Sequence, residues 1–344
     1  MNPFTVCRMH ALVRGLAVAS LLALTGCPDQ AVNESKTALN AGNKAMGTKQ
    51  FDQAIVEYKK ATDRWKENHM AWYGMGGAYA QRGEWDKSAD SFKMTVQWAP
   101  EQAMYQMWYG IALYEKAVMT ARDEQARRDN KKPEEVKPDL TAVNFETPLK
   151  HLIEAAKIND QMWRAHYYLG RVYREMDKPK DAAASFSKAI AANPRESGPY
   201  IALAELYRKW DYSDQAIKIA QQGTVNVPGQ NELSDLWYVL GMGYDDKRQD
   251  KEAIEAFEKS ITANKGNHKA KFQRGQAYFR QNDYMNAKRD LEDFSKAGGS
   301  SMDFAKQQAS KMLMDIAIKT APPGTGGAGG AKLSPEDMVK AGKK

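Results

Sequence analysis

The sequence predicts an all-α fold built from stacked antiparallel helix pairs. Three observations predict it. A pattern of large and small residues recurs in blocks such as His69 to Gln102 and Trp163 to Glu196. Within each block the apolar residues recur at helical spacing, three or four apart, and no strand-like alternation of any length interrupts them. Prolines stand at block ends, as Pro100, Pro194 and Pro228 do, where a helix must stop because proline lacks the N–H and clashes with the preceding turn. Hydrophobic residues make up 42% of the chain and charged residues 27%, a composition that suits a folded protein and excludes many membrane spans.

Residues 1–26 read as an export signal. Arg8 and Arg14 precede an uncharged run from Gly15 to Gly26, too short to cross a bilayer, which takes about 20 residues. Leu24, Thr25, Gly26 and Cys27 resemble the processing site of bacterial lipoproteins, in which the cysteine is diacylated and the signal is cut before it. The resemblance implies a mature chain lipidated at Cys27, with residues 27–34 as a linker. Two acyl chains make such attachment effectively permanent. Pro28 and Asp29 depart from the inner-membrane retention pattern of that family, so the expected location is the outer membrane, facing the periplasm. Cys7 falls in the signal, and no intramolecular disulfide is then possible.

The repeats follow in order. A first, weaker copy runs from Ser35 to Asn68 with Gly42, Phe51, Ala54, Tyr58 and Ala61. His69 to Gln102 carries Trp72, Met75, Gly76, Tyr79, Gly83, Trp85, Ser88, Phe92 and Pro100. Trp163 to Glu196, Ser197 to Gln230, Ser234 to Asn267 and His268 to Ser301 fill the same slots, with Gly170, Gly241 and Gly275 among the small residues. A further copy is split: Ala103 to Ala117 gives a first helix with Gly110, and Phe145 to Met162 the second with Leu152 and Ala155. Residues 118–144 are thus an insertion. Its six basic and six acidic residues suggest a solvated arm, with the helix running to about Arg128, and deletion of such an arm should leave the melting temperature nearly unchanged. Met302 to Lys319 reads as a capping helix with Ala305, Ala309, Met312 and Ile316 on one stripe, and residues 320–344, rich in Gly and Pro, as a flexible tail.

The pattern of a large residue, Leu-Gly, Tyr, then Gly, aromatic, Ala, Phe and Pro resembles the tetratricopeptide repeat. The resemblance covers residues 35–301 and implies a right-handed α-solenoid of about seven helix pairs. It also implies binding of other proteins or extended peptides on the concave wall, through the second, fifth, ninth, twelfth and thirteenth positions of each first helix. Carried onto this chain, those positions give Tyr73, Met104, Met107, Ile111, Tyr114, Arg164, Tyr167, Arg171, Arg174, Ile201, Glu205, Arg208, Lys209, Tyr238, Met242, Asp245, Asp246, Phe272, Phe279 and Arg280. Aromatic and methionine side chains at such positions make adaptable surfaces; the alternative is that they pack between neighbouring first helices. Arg164, Arg171 and Arg174 on one first helix, with Arg208 and Lys209 on the next, suggest a receptor for an acidic segment, and a salt-bridge network is the alternative. The carboxylate-clamp form of the groove is not matched, since Asn43 stands alone and Leu39 replaces its basic partner.

Other chemistry is not signalled. The net charge is +7, of which +2 precedes Cys27 and +2 follows Thr320, so the repeats lack the basic stripe that nucleic acid requires. His10, His69, His151, His166 and His268 show no metal-ligand spacing. No Gly-x-Ser-x-Gly elbow is present, and Gly324 to Gly330 lacks the ending of a phosphate loop. The expectation is a non-catalytic scaffold with no cofactor, metal or small-molecule substrate, supporting assembly of an envelope complex as similar lipoproteins do. The alternatives are a structural subunit of a pilus, secretion or motility apparatus, which would show apolar patches outside the concave wall, and a glycan-binding accessory.

Overall fold

The computed structural model describes residues 28–297 and 302–321, and they are all-α: fifteen α-helices, one short 3-10 turn and no strand. Cys27 with the expected signal, and the tail beyond residue 321, lie outside the described residues. The helices are α1 (Pro28–Gly47), α2 (Phe51–Arg64), α3 (His69–Gln81), α4 (Trp85–Trp98), α5 (Ala103–Asp129), α6 (Glu146–Ile158), α7 (Trp163–Glu175), α8 (Pro179–Ala192), α9 (Ser197–Lys209), α10 (Ser213–Asn226), α11 (Gln230–Asp246), α12 (Asp250–Ala263), α13 (His268–Arg280), α14 (Tyr284–Lys296) and α15 (Asp303–Lys319). Two compact units divide inside α9, one ending at Leu203 and the other beginning at Ala204. In each, helices pack on their sequence neighbours, and first helices also touch the next first helix, as α1 does α3, α5 does α7 and α11 does α13. Each unit is therefore an α-solenoid stack.

The pairs close because a small residue on the first helix meets a large one on the second. A Cβ at Gly76 would lie 2.9 Å from the Phe92 ring, and one at Gly110 would lie 2.8 Å from Leu152. Phe186 stands in the same way over Gly170, and Phe257 over Gly241. Tyr58, Phe92, Phe186 and Phe257 are buried as a result, and ring burial of this kind is a major source of core stability.

Polar side chains fix the joints between pairs. At the fourth position of three first helices a side-chain N–H reaches back six residues to a loop carbonyl: Trp72 Nε1 donates to Lys66 O at 2.8 Å, Gln106 Nε2 to Pro100 O at 2.8 Å, and His166 Nε2 to Asp160 O at 2.7 Å. A carbonyl can only accept, so His166 carries its proton on Nε2. A second device occurs twice. Asn68 Oδ1 accepts from the Ala71 N–H and so caps α3, its Nδ2 donates to Ser35 Oγ, and Ser35 Oγ donates to Ala61 O. Asn267, Ala270, Ser234 and Ser260 repeat every one of these bonds around α13.

Two expectations need correction. The segment before Ser35 is no linker: residues 28–34 are the opening turns of α1. The insertion is no solvated arm, because it folds back on its own unit. Val118, Ala121 and Ala126 are buried on the long α5, and Leu140 and Val143 pack on the core formed by Tyr114, Phe145, Leu149 and Leu152. A balanced charge count described the residues between these anchors and missed the anchors themselves.

Candidate partner-binding surface

Of the twenty groove positions, four are buried and the others half-buried or exposed, so the candidates for partner contact separate by burial. Met107, Ile111 and Tyr114 on α5 and Phe272 on α13 are core residues. Tyr114 lies between the rings of Phe145 and Tyr168 at 5.5 and 5.8 Å, and Phe272 stands 4.7 Å from Phe294. These four present no surface to a ligand, and a binding role for their side chains is withdrawn. Tyr73, Tyr167, Arg171, Arg174, Ile201, Arg208, Tyr238, Met242 and Phe279 are half-buried. Sequence spacing cannot separate the two groups, because a groove wall in a helix stack is also the seam between first helices.

In the first unit, Tyr73 is the centre of an aromatic wall. Its ring lies 5.8 Å from Phe92 and 5.3 Å from Tyr105, while Trp108 stacks on Phe92 at 6.0 Å. The Tyr73 hydroxyl donates to Met104 Sδ at 3.5 Å, and burial pushes its pKa above the usual value. Met104 is 42% exposed beside this wall, and Met70, three residues before Tyr73 on α3 and so on the same side of the helix, is 56% exposed. Unbranched, polarizable thioethers around a ring give a surface that can mould itself to an apolar partner.

Arg171 is enclosed instead. Its guanidinium lies 4.6 Å from the Tyr114 ring and 4.8 Å from that of Tyr168, and Nη1 donates to Glu115 Oε1 at 2.8 Å. Tyr168 also donates to Glu115 Oε1, at 3.0 Å. Burial opposes the charge of Arg171, but Tyr114, Glu115 and Tyr168 outweigh it and hold the cation more firmly than usual; burial and Glu115 drive the Tyr168 pKa upward. Arg174 is spent on its neighbour Glu175 at 2.9 Å.

In the second unit, Arg208 holds Asp246 through two bonds of 2.6 and 3.0 Å, and Arg280 bridges Asp245 and Asp250. The cleft there, about 660 Å3, is lined by Glu205, Asp211, Asp245 and Asp246 as well as Arg208, Lys209 and Arg248. Carboxylates outnumber cations there, so the cleft carries no excess of positive charge. Of the expected basic cluster, Arg171, Arg174 and Arg208 are thus each ion-paired within their own unit, as the salt-bridge alternative has it. Tyr238 packs on Phe257 at 6.0 Å, with its hydroxyl pKa raised by burial. Met242 lies on the same core. Phe279 is covered by Tyr284 and the Lys319 ammonium.

Glu115 and Tyr168 escaped the reading of the sequence. Glu115 holds the thirteenth position of its first helix, so the spacing rule reached it, but its role becomes visible only once α5 and α7 stand side by side. Among the described residues no group of three or more His, Cys, Asp or Glu could hold a metal, and no helix is long and apolar enough to cross a membrane.

Comparison with known proteins adds three matches to the tetratricopeptide repeat, over residues 39–103, 163–196 and 234–267. Superkiller complex protein 3 of Mus musculus is 33% identical over 84 residues, covering 24% of this chain, and the Homo sapiens protein is 32% identical over 84 residues. The chain spans about 5% of the length of these curated relatives. Among solved structures, a tetratricopeptide repeat protein from Parabacteroides merdae superposes with a TM-score of 0.53 at 13% identity, over 83% of this chain and 99% of that one. The APC/C hetero-tetramer Cut9-Hcn1 gives 0.54 at 12% identity, over 80% and 48%. At such identities the likeness is one of fold. Matched repeats, glycine-for-ring packing and all-helical stacks agree: the chain carries tetratricopeptide repeats, helix pairs that support a scaffold for protein–protein interaction.

Proposed function

We propose that this chain is a non-catalytic scaffold of a bacterial cell envelope, lipid-anchored through Cys27 at the outer membrane, that captures an apolar segment of a partner protein and so supports assembly of an envelope complex. The observation that carries the binding part is the exposed pair Met70 and Met104 around Tyr73 on α3 and α5. Support for the anchor is the basic, apolar and Leu-Thr-Gly-Cys sequence of residues 8–27. The paired arginines argue against an acidic partner and for an apolar one.

Two measurements test this. Cys27→Ala should leave an unprocessed precursor and abolish labelling by a fatty-acid probe; normal processing would remove the anchor from the proposal. Tyr73→Ala with Met104→Glu should cut partner capture at least about tenfold, the effect expected of a central aromatic anchor, with an unchanged helical spectrum. Undiminished capture would place the binding surface elsewhere.

A second reading, a structural subunit of a larger envelope machine, draws on exposed apolar residues outside the first helices: Val56 on α2, Ile158 on α6 and Val225 on α10. Photo-crosslinkers at Met104 and Val225 separate the two. Adducts at Met104 alone favour the groove binder, and adducts at both favour the machine.

A further inference from the structure

Five arginines stand at groove positions, and four have an internal partner: Arg171 holds Glu115, Arg174 holds Glu175, Arg208 holds Asp246, and Arg280 holds Asp245 and Asp250. Arg164 is the fifth. It is exposed, and among the described residues no carboxylate pairs with it. Its guanidinium rests on the indole of Trp163 instead, 4.8 Å from the ring, a contact that orients the cation without neutralising it. The first unit thus keeps an uncompensated arginine in its groove, at the end of an apolar row. Met70, Met104 and Arg164 hold the second position of three successive first helices, α3, α5 and α7. Burial raises the pKa of the Tyr73 hydroxyl, and the Arg164 charge is near enough to work against that rise. The wall there is also open. A Cβ at Gly77, one turn beyond Tyr73, would meet nothing within 4 Å, whereas those at Gly74 and Gly76 would run into the rings of Tyr58 and Phe92.

We infer that the partner segment captured at Tyr73, on the reading given above, is extended and carries an Asp or Glu side chain for Arg164, about three residues from the apolar side chain seated on Met104. The spacing follows from two repeats that match. Packed helices stand about 8–10 Å apart. A chain in the polyproline II conformation turns once in three residues and rises about 9 Å in doing so. Every third side chain therefore faces the wall and meets the next first helix. Apolar residues then lie over α3 and α5, and the acidic one lies over α7, where the guanidinium can bind it through paired hydrogen bonds. A side chain fits this place better than a chain end. The paired donors of the carboxylate clamp are absent, and Arg171 and Arg174 on the same helix are spent on Glu115 and Glu175.

The test offers the full chain displayed random peptides of about twelve residues, long enough to cross α3, α5 and α7 in this conformation. Each is fused at its C-terminal end, so no terminal carboxylate is free. Selected peptides should share two apolar residues about three apart, with an Asp or Glu about three residues beyond them. Selection on Arg164→Glu should keep the apolar pair and exchange the acidic residue for Lys or Arg. For a labelled synthetic copy of the tightest peptide, Arg164→Ala should weaken binding by about tenfold, while the helical spectrum of this exposed-site variant stays the same. Replacing the peptide's acidic residue by the amide should weaken binding to the unaltered chain equally, and binding to the variant no further. An apolar pair with no acidic preference, or an acidic preference that survives Arg164→Glu, would overturn the role of Arg164 and leave the apolar groove standing. Peptides that bind Tyr73→Ala with Met104→Glu undiminished, or no selected peptide at all, would overturn both.

Discussion

Six residues at the turn inside a repeat hold a left-handed backbone: Lys49, Gly83, Asp177, Asp211, Arg248 and Asn282, with φ between 52° and 73°. Glycine occupies this conformation without a Cβ penalty, whereas lysine and arginine do not. Lys49→Gly and Arg248→Gly should therefore each stabilise the fold by about 0.5–1 kcal/mol, offset in part by the greater chain entropy of glycine when unfolded. Urea denaturation of the two variants checks this, and a loss of stability would show that the side chains matter more than the strain. Tyr58 supplies a test with pH. It is buried, its hydroxyl donates to Asn43 Oδ1 at 2.8 Å, and burial pushes its pKa up to about 12. The folded state then holds this proton where the unfolded chain, with an ordinary value near 10, has released it. Its contribution to stability is complete below pH 10 and falls away as the pH rises from about 10 to 12. Tyr58→Phe should flatten that alkaline loss in melting curves.

Among the elements, the long helix α5 and the return behind it make the sharpest case. Deleting residues 131–143 removes Leu140 and Val143 from the core at Tyr114 and Phe145, a loss of about 2 kcal/mol for two partly buried apolar side chains. The melting temperature should fall by several degrees; an unchanged value would restore the solvated-arm reading. This contrast shows what the sequence could and could not tell. Gly76, Phe92, Gly170 and Phe186 stand at fixed spacings, and spacing is local, so the helix pairs were legible. The insertion has no repeat to be compared with, and its two anchors are single residues among many charges. The groove suffered in another way. Its positions follow from the repeat, but whether Tyr114 or Tyr73 faces outward depends on the neighbouring first helix, and the pairing of Arg171 with Glu115 spans 56 residues of sequence.

For the molecule as a whole, contacts between neighbouring helices dominate each unit, so damage should stay near its source. Ending the chain after Lys296 strips Ala309 and Ile316 from the core around Phe272 and Phe294. Hydrogen exchange should then rise steeply in α13 and α14 and remain unchanged in α1 to α4; uniform loss of protection would mean that the whole chain unfolds as one. The serine and asparagine joint has a further consequence for how such a protein grows. Ser35, Ala61 and Asn68 lie within one block of 34 residues, as do Ser234, Ser260 and Asn267, and each asparagine is followed by the histidine that opens the next helix. The joint is thus a portable cassette. A recombination event that copies or deletes the block from serine to asparagine carries donor, acceptor and cap together, so the length of the array can change in a lineage without leaving a torn seam.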